Sequence, residues 1–282
     1  ILYIPNHWSK HILTYRPIRK SAFVSYIKCQ KKFEYLYSDP NYFNYGLDEG
    51  ELDDALRRGN MFHSGCDKFF SDLEGKIKSE SITQLFRTYL PTVDDIRDAE
   101  IVNNWFDWFA ETEKQRYIEL DEANKIGYFL PIAKELEIKL PDTIDRTGHV
   151  DRVDMMPDTK ELCIVEYKTG KSYDMDNSYS FTDMNKEIGF YVQILNATNV
   201  FPNYKITHWK VVNPTLKKIW INKISPISLR GVEVLYKEIT DKVITKGKFN
   251  RNLTPLCKYC PYVTPCMEEY YQQEAKDDPF EI

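Results

Sequence analysis

No stretch of this chain approaches the roughly 18 consecutive apolar residues of a transmembrane helix, so no membrane span is expected. It also lacks a global basic field. Its 38 Lys and Arg stand against 43 Asp and Glu, a net charge of −5, so any nucleic-acid contact must come from a local patch. Internal repeats and low-complexity tracts are absent. Six cysteines in 282 residues are too few for a disulfide scaffold, which makes their placement the informative feature. The first residue is Ile1 rather than Met, so the natural start and a removed targeting segment both stay open.

What is present suits a globular chain with a substantial core: 42% hydrophobic and 29% charged residues. Aromatics reach 14%, with 20 Tyr, and they serve either a Tyr-rich core and surface or base stacking. Residues 21–37 predict a helix with Phe23, Ile27 and Phe33 near one face and Cys29 within it. Further helices are expected over 51–74 and 94–120, the second with Ile101, Trp105, Trp108 and Phe109 facing the core. After Pro131 the texture changes to short, partly alternating runs at 132–140, 147–156 and 161–169, which read as strands. A helix over 183–198, strands at 205–212 and 217–221, an amphipathic helix over 228–246 and a Cys-rich tail complete the plan. This is one integrated α/β domain: a helical region over 1–130, a core over 131–225, and a closing helix with the tail over 226–282.

The strongest chemistry lies in 148–170. If Pro157-Asp158-Thr159-Lys160 forms the turn, Met156 faces Glu161 and Asp151 falls opposite Glu166. Lys168, two residues on, shares the face of Glu166. Two carboxylates and an amine converging on one spot suit a hard cation such as Mg²⁺ or Mn²⁺. Salt bridges with Arg146, Arg152 or Lys168 on a wet face would account for the same residues.

Gly148-His149-Val150-Asp151-Arg152-Val153-Asp154 followed by Val165-Glu166-Tyr167-Lys168-Thr169-Gly170 resembles the "G-x-x-D-R-x-D … (D/E)-x-K-T-G" signature of RecB-type PD-(D/E)XK nucleases. The resemblance implies a restriction-endonuclease-like fold, a small mixed central sheet flanked by helices, here with a helical N-terminal elaboration. It implies Asp151 and Glu166 as metal ligands and Lys168 as the catalytic lysine. Arg58-Gly59-Asn60-Met61-Phe62-His63 resembles the family's "G-x-x-x-H" helix, which makes His63 a further metal ligand, and Glu137 resembles the acidic residue of its "V-E" strand. Where the family carries Q-x-x-x-Y, this chain has Glu187-Ile188-Gly189-Phe190-Tyr191. Tyr191 fits the catalytic motif; Glu187 departs from it, and is expected either to repel phosphate or to add a metal ligand.

Cys257, Cys260 and Cys266 form C-x₂-C-x₅-C, one ligand short of a four-thiolate site that Cys29 could complete. Spacing alone suits zinc and iron–sulfur alike. The resemblance to CRISPR-associated RecB-like exonucleases, AddB-type nucleases and eukaryotic nuclease–helicases implies a [4Fe–4S] staple joining the chain ends. Cys66 and Cys163 lie outside that pattern and read as buried hydrophobes. Lys242, Lys246, Lys248 and Arg251 either face a DNA backbone or form a solvated helix end. Taken together, the resemblance implies a metal-dependent DNA nuclease, an exonuclease on single strands or duplex ends, inside a cell (cytoplasm, nucleoid or host interior). Helicase, recombination or CRISPR proteins are the partners it allows. A scaffold protein that keeps the fold without activity, and a zinc-stabilised interaction module, are the rival readings.

Overall fold

The structure is a computed structural model that describes residues 15–38, 51–73 and 96–277. In chain order its elements are β1 (Ile18–Arg19), α1 (Lys20–Lys28), α2 (Gln30–Ser38), α3 (Glu51–Leu73), α4 (Ile96–Glu122), β2 (Ala133–Leu140), β3 (Arg146–Met155) and β4 (Glu161–Tyr167). There follow α5 (Ser178–Thr198), β5 (Lys205–Asn213), β6 (Lys218–Lys223), α6 (Pro226–Thr245) and α7 (Val263–Asp277). Residues 74 and 94–95, the expected ends of two helices, lie outside the described residues. No helix among the described residues is long and apolar enough to cross a membrane.

Six strands among the described residues form one mixed sheet, with β4 and β5 parallel and the pairs β2–β3, β3–β4 and β5–β6 antiparallel. Side-chain alternation along β4 explains why helices cover both faces. Leu162 and Ile164 join a core with Phe23 of α1, Phe190 of α5 and Val232 of α6. Cys163, Val165 and Tyr167 join another with Phe62 and Phe69 of α3 and Phe106 of α4. Cys66 and Cys163 are both buried, as their apolar settings predict.

Three sequence expectations are corrected. The α4 stripe that is buried in the core runs through Val102, Phe106, Phe109, Glu113 and Tyr117, with Trp105 and Trp108 packed partly buried against it as expected, while Ile101 is exposed. Glu113 belongs to that stripe because Arg152 and Arg116 bind it, a pairing that hydrophobic periodicity cannot show. The helix expected through residue 183 onward starts earlier, at Ser178, because Asn177 caps it by accepting from the amides of Tyr179 and Ser180. The helix expected over 21–37 is broken at Cys29, whose backbone is extended (φ −161°, ψ 114°). The tail satisfies the groups this break frees: the Lys31 amide donates to the Asn250 carbonyl (3.0 Å), and the Asn252 side chain donates to the Lys28 carbonyl (2.9 Å).

Candidate active site

The β3–β4 hairpin pairs Arg152 with Val165, Val153 with Ile164, Asp154 with Cys163 and Met155 with Leu162. The Met156 amide donates to the Glu161 carbonyl at the turn (2.9 Å). This is the register counted from the Pro157–Lys160 turn. The ladder stops one pair short of Asp151 and Glu166. There the Asp151 carboxylate turns in, and its Oδ2 accepts from the Tyr167 amide at 2.8 Å. On this same edge of β3, β1 pairs only with Arg146 and Thr147, while β2 takes the opposite edge. Between β1 and β4 the edge of β3 is therefore open. Tyr191 of α5 fills this gap, its hydroxyl donating to the His149 carbonyl at 2.7 Å. A Cβ on Gly148 would come within 2.7 Å of the Tyr191 ring, so only glycine leaves that ring its place. Tyr191 is fully buried, under the Lys20 ammonium at 5.5 Å. Its position is that of a support for the site.

Two groups of side chains meet at the opening. In the first, His63 of α3, Glu135 of β2 and Asp151 place one ligand atom each within 4.8 Å of one another. His63 Nδ1 lies 3.4 Å from Asp151 Oδ1. Burial opposes charge on both, yet each holds the other's ionised form, raising the imidazole pKa and lowering that of the carboxyl. Glu135 stands where Asp151 faces β2 and has φ 44°, a left-handed conformation unfavourable for a non-glycine residue. Glu137, the candidate from the sequence, pairs with His149 further along the strand and is exposed. Thus β2 delivers Glu135 to the group in its place.

The second group is a ring of alternating charges. Lys168 Nζ donates to Glu166 Oε2 (2.8 Å) and to Glu187 Oε1 (2.7 Å). Lys20, from the first turn of α1, reaches Glu187 Oε1 (2.5 Å) and lies 3.8 Å from Glu166 Oε2. Sequence reasoning missed Lys20, which carries no motif and stands far from its partners along the chain. Glu187 is thus clamped by two ammoniums. Burial works against its charge, but Lys168 and Lys20 hold its carboxyl well below the usual range. The same carboxylates overcome burial to keep both lysines firmly protonated. Glu166 is the exception: burial first, then the charge of Asp151, push its carboxyl up to about 7. Its Oε1 is buried without a hydrogen-bond partner, as is Glu135 Oε1.

Four carboxyl groups outnumber the two ammoniums and the one imidazole, and two orphaned buried oxygens await a donor or a cation. Oxygen donors with one imidazole fit Mg²⁺ or Mn²⁺. Away from this centre, Cys29, Cys257, Cys260 and Cys266 all line one small cavity, between the α1–α2 break and the tail. Lys242 bonds Gln30 and Glu238, and Arg251 bonds Gln273 and Glu269, so these two tail cations are held within the fold.

The family model described as the PD-(D/E)XK nuclease superfamily matches residues 20–267. No curated protein matches the sequence. Among solved structures, the chain is similar to a "Putative exonuclease" from Eubacterium rectale, at 12% identity and a TM-score of 0.49, over 92% of this chain and 93% of that one. It is also similar to a protein named SSO0001, at 13% identity and a TM-score of 0.33, over 77% of this chain and 96% of that one.

Proposed function

The chain belongs to the PD-(D/E)XK nuclease superfamily, and on that premise we propose that it is a Mg²⁺- or Mn²⁺-dependent deoxyribonuclease that removes nucleotides from DNA ends or single strands. The observation that carries this reading is the acidic centre itself. His63, Glu135 and Asp151 lie within reach of a single ion, and the free Glu166 Oε1 is a further ligand close by. A bound divalent cation would supply a Lewis acid that polarises the scissile phosphate and lowers the pKa of a water. The side chains supply the rest. Lys168, kept cationic by Glu166 and Glu187, donates a hydrogen bond to attacking water or phosphate oxygen and offsets the negative charge of the transition state. An ammonium held this firmly is a donor and not the base that takes the water's proton. Asp151 keeps His63 oriented through Nδ1.

A digest of DNA labelled at either end, single- and double-stranded, tests this directly. Cleavage with Mn²⁺ or Mg²⁺, silenced by EDTA and leaving 5′-phosphates, is expected. No cleavage of any substrate with either metal would favour the scaffold reading.

The four thiols are proposed to hold a [4Fe–4S] cluster that fastens the α1–α2 break to the tail. All four line one small cavity between the α1–α2 break and the tail, where four thiolates suit zinc and iron–sulfur alike, and the resemblance in their spacing favours the cluster. Cys29→Ala is expected to lose iron, visible absorbance and thermal stability together, while Cys163→Ala keeps its iron. Equal iron in wild type and Cys29→Ala, or zinc after strictly anaerobic purification, would overturn the assignment.

A further inference from the structure

A groove of about 710 Å³ lies beside the acidic centre, where β1, β2 and β3 meet the start of α1. Its lining inverts the charge balance of the chain. Arg19, Lys20 and Lys139 border it with the imidazole of His149, against the single carboxylate of Glu137. Arg19, Lys139 and His149 are exposed. The groove also joins the centre at two points. Lys20 lines it and touches Glu187 and Glu166. His149 lines it too, and its Nε2 lies 3.3 Å from Oε2 of Glu135. A ligand lying in the groove therefore runs from a cationic wall to the metal-ligating trio on one side and to the lysine ring on the other.

We propose that this groove seats a single nucleic-acid strand flanking the scissile phosphate. Arg19 and Lys139 take its phosphates, and Lys20 takes the phosphate that enters the centre. The proposal rests on the nuclease reading above, and it adds the substrate form and the side from which that substrate approaches. At about 710 Å³ the groove has room for a short run of nucleotides, and a single strand is the form that can bend along it to the half-buried Lys20. The cations are spread along the groove, as a flexible polyanion requires, and each phosphate neutralised releases counterions. Lys20 then has a function of its own: Glu187 holds it at the junction until a phosphate arrives. This explains why a glutamate stands where the family motif has glutamine, since a second lysine at the centre needs a second carboxylate.

Binding can be measured apart from cleavage, on the full chain carrying Asp151→Asn, in buffer without divalent metal. The probe is a short fluorescent oligonucleotide, as single-stranded DNA, as single-stranded RNA and as DNA duplex of one sequence. Single strands of either sugar are expected to bind better than duplex. Arg19→Ala and Lys139→Ala should each weaken single-strand binding about three- to tenfold, and each should flatten the dependence of log Kd on log salt by about 0.7. Lys237→Ala, an exposed lysine of α6, should change neither quantity. Lys139 gives up only a surface ion pair with Asp145, so its variant is expected to fold normally, with an unfolding midpoint near wild type. Unchanged affinity and slope in both groove variants would overturn the proposal. So would an equal loss in Lys237→Ala, or tighter binding of duplex that both variants leave untouched. Groove-dependent binding by a wild-type chain that cleaves nothing with Mn²⁺ would sink the nuclease reading and leave the groove standing. Cleavage indifferent to Arg19→Ala and Lys139→Ala would do the reverse.

Discussion

Asp151→Asn is expected to slow cleavage by roughly a thousandfold or more while leaving the unfolding midpoint close to that of the wild type. The carboxylate does two separate things. Its Oδ1 faces His63 within the metal-ligating trio, and its Oδ2 accepts the buried Tyr167 amide where the β3–β4 ladder ends. Asparagine keeps one oxygen for that amide but removes the charge that a hard cation needs. Alanine removes both, and should add a folding penalty of about 1–3 kcal/mol for the stranded amide. Lys168→Ala should slow cleavage to a similar degree yet keep metal affinity, because lysine is a donor here and no ligand. Single-turnover rates and Mn²⁺ titration on both variants separate the roles. Asp151→Asn that cleaves at the wild-type rate would remove Asp151 from the chemistry.

The same centre shows what could be read from the sequence. The Pro157–Lys160 turn set the register of β3 and β4, so Asp151 and Glu166 could be brought together by counting. The same count around Pro141–Asp145 pairs Leu140 with Arg146 and brings Glu135 to Asp151. That information was present, but the family's spacing pointed to Glu137 instead. Lys20 left no such trace. It lies 167 residues from Glu187, and its contact depends on how α1 packs against α5. Without Lys20, Glu187 could only look like surplus charge or a ligand. With it, Glu187 is a counterion to two lysines, and Glu187→Gln should leave them repelling each other. The break at Cys29 was hidden for a similar reason. Helical periodicity continues through residues 21–37, and only the distant Asn250–Asn252 segment makes an extended residue there affordable.

The Arg and second Asp of the D-R-x-D motif carry the other large expectation, and it concerns folding. Arg152 is almost wholly buried. Its guanidinium makes a two-pronged contact with Asp154 (2.8 and 2.7 Å), reaches Glu113 of α4 and the Tyr167 hydroxyl (both 3.1 Å), and stacks over Phe70 of α3 at 4.5 Å. One side chain thus joins the sheet to both helices on that face. Arg152→Ala strands two buried carboxylates, and a destabilisation of about 3–5 kcal/mol is expected. Arg116 and Lys210 remain to shield part of that charge. The pH dependence has a definite sign. In the wild type, burial opposes both carboxylates, but Arg116 and Arg152 keep Glu113 depressed, and Arg152 and Lys210 keep Asp154 depressed. The stability they contribute is therefore present above the ordinary carboxylate pKa of about 4 and is lost as pH falls below it. In Arg152→Ala the same buried groups lose their main partner and their pKa values rise, so the variant recovers stability when they protonate. The gap between wild type and variant should accordingly narrow as pH drops from 7 towards 4. Urea unfolding across that range measures it; a gap below about 1 kcal/mol at pH 7, or one that widens in acid, would mean that packing around Phe70, and not the ion network, fastens α3 and α4 to the sheet.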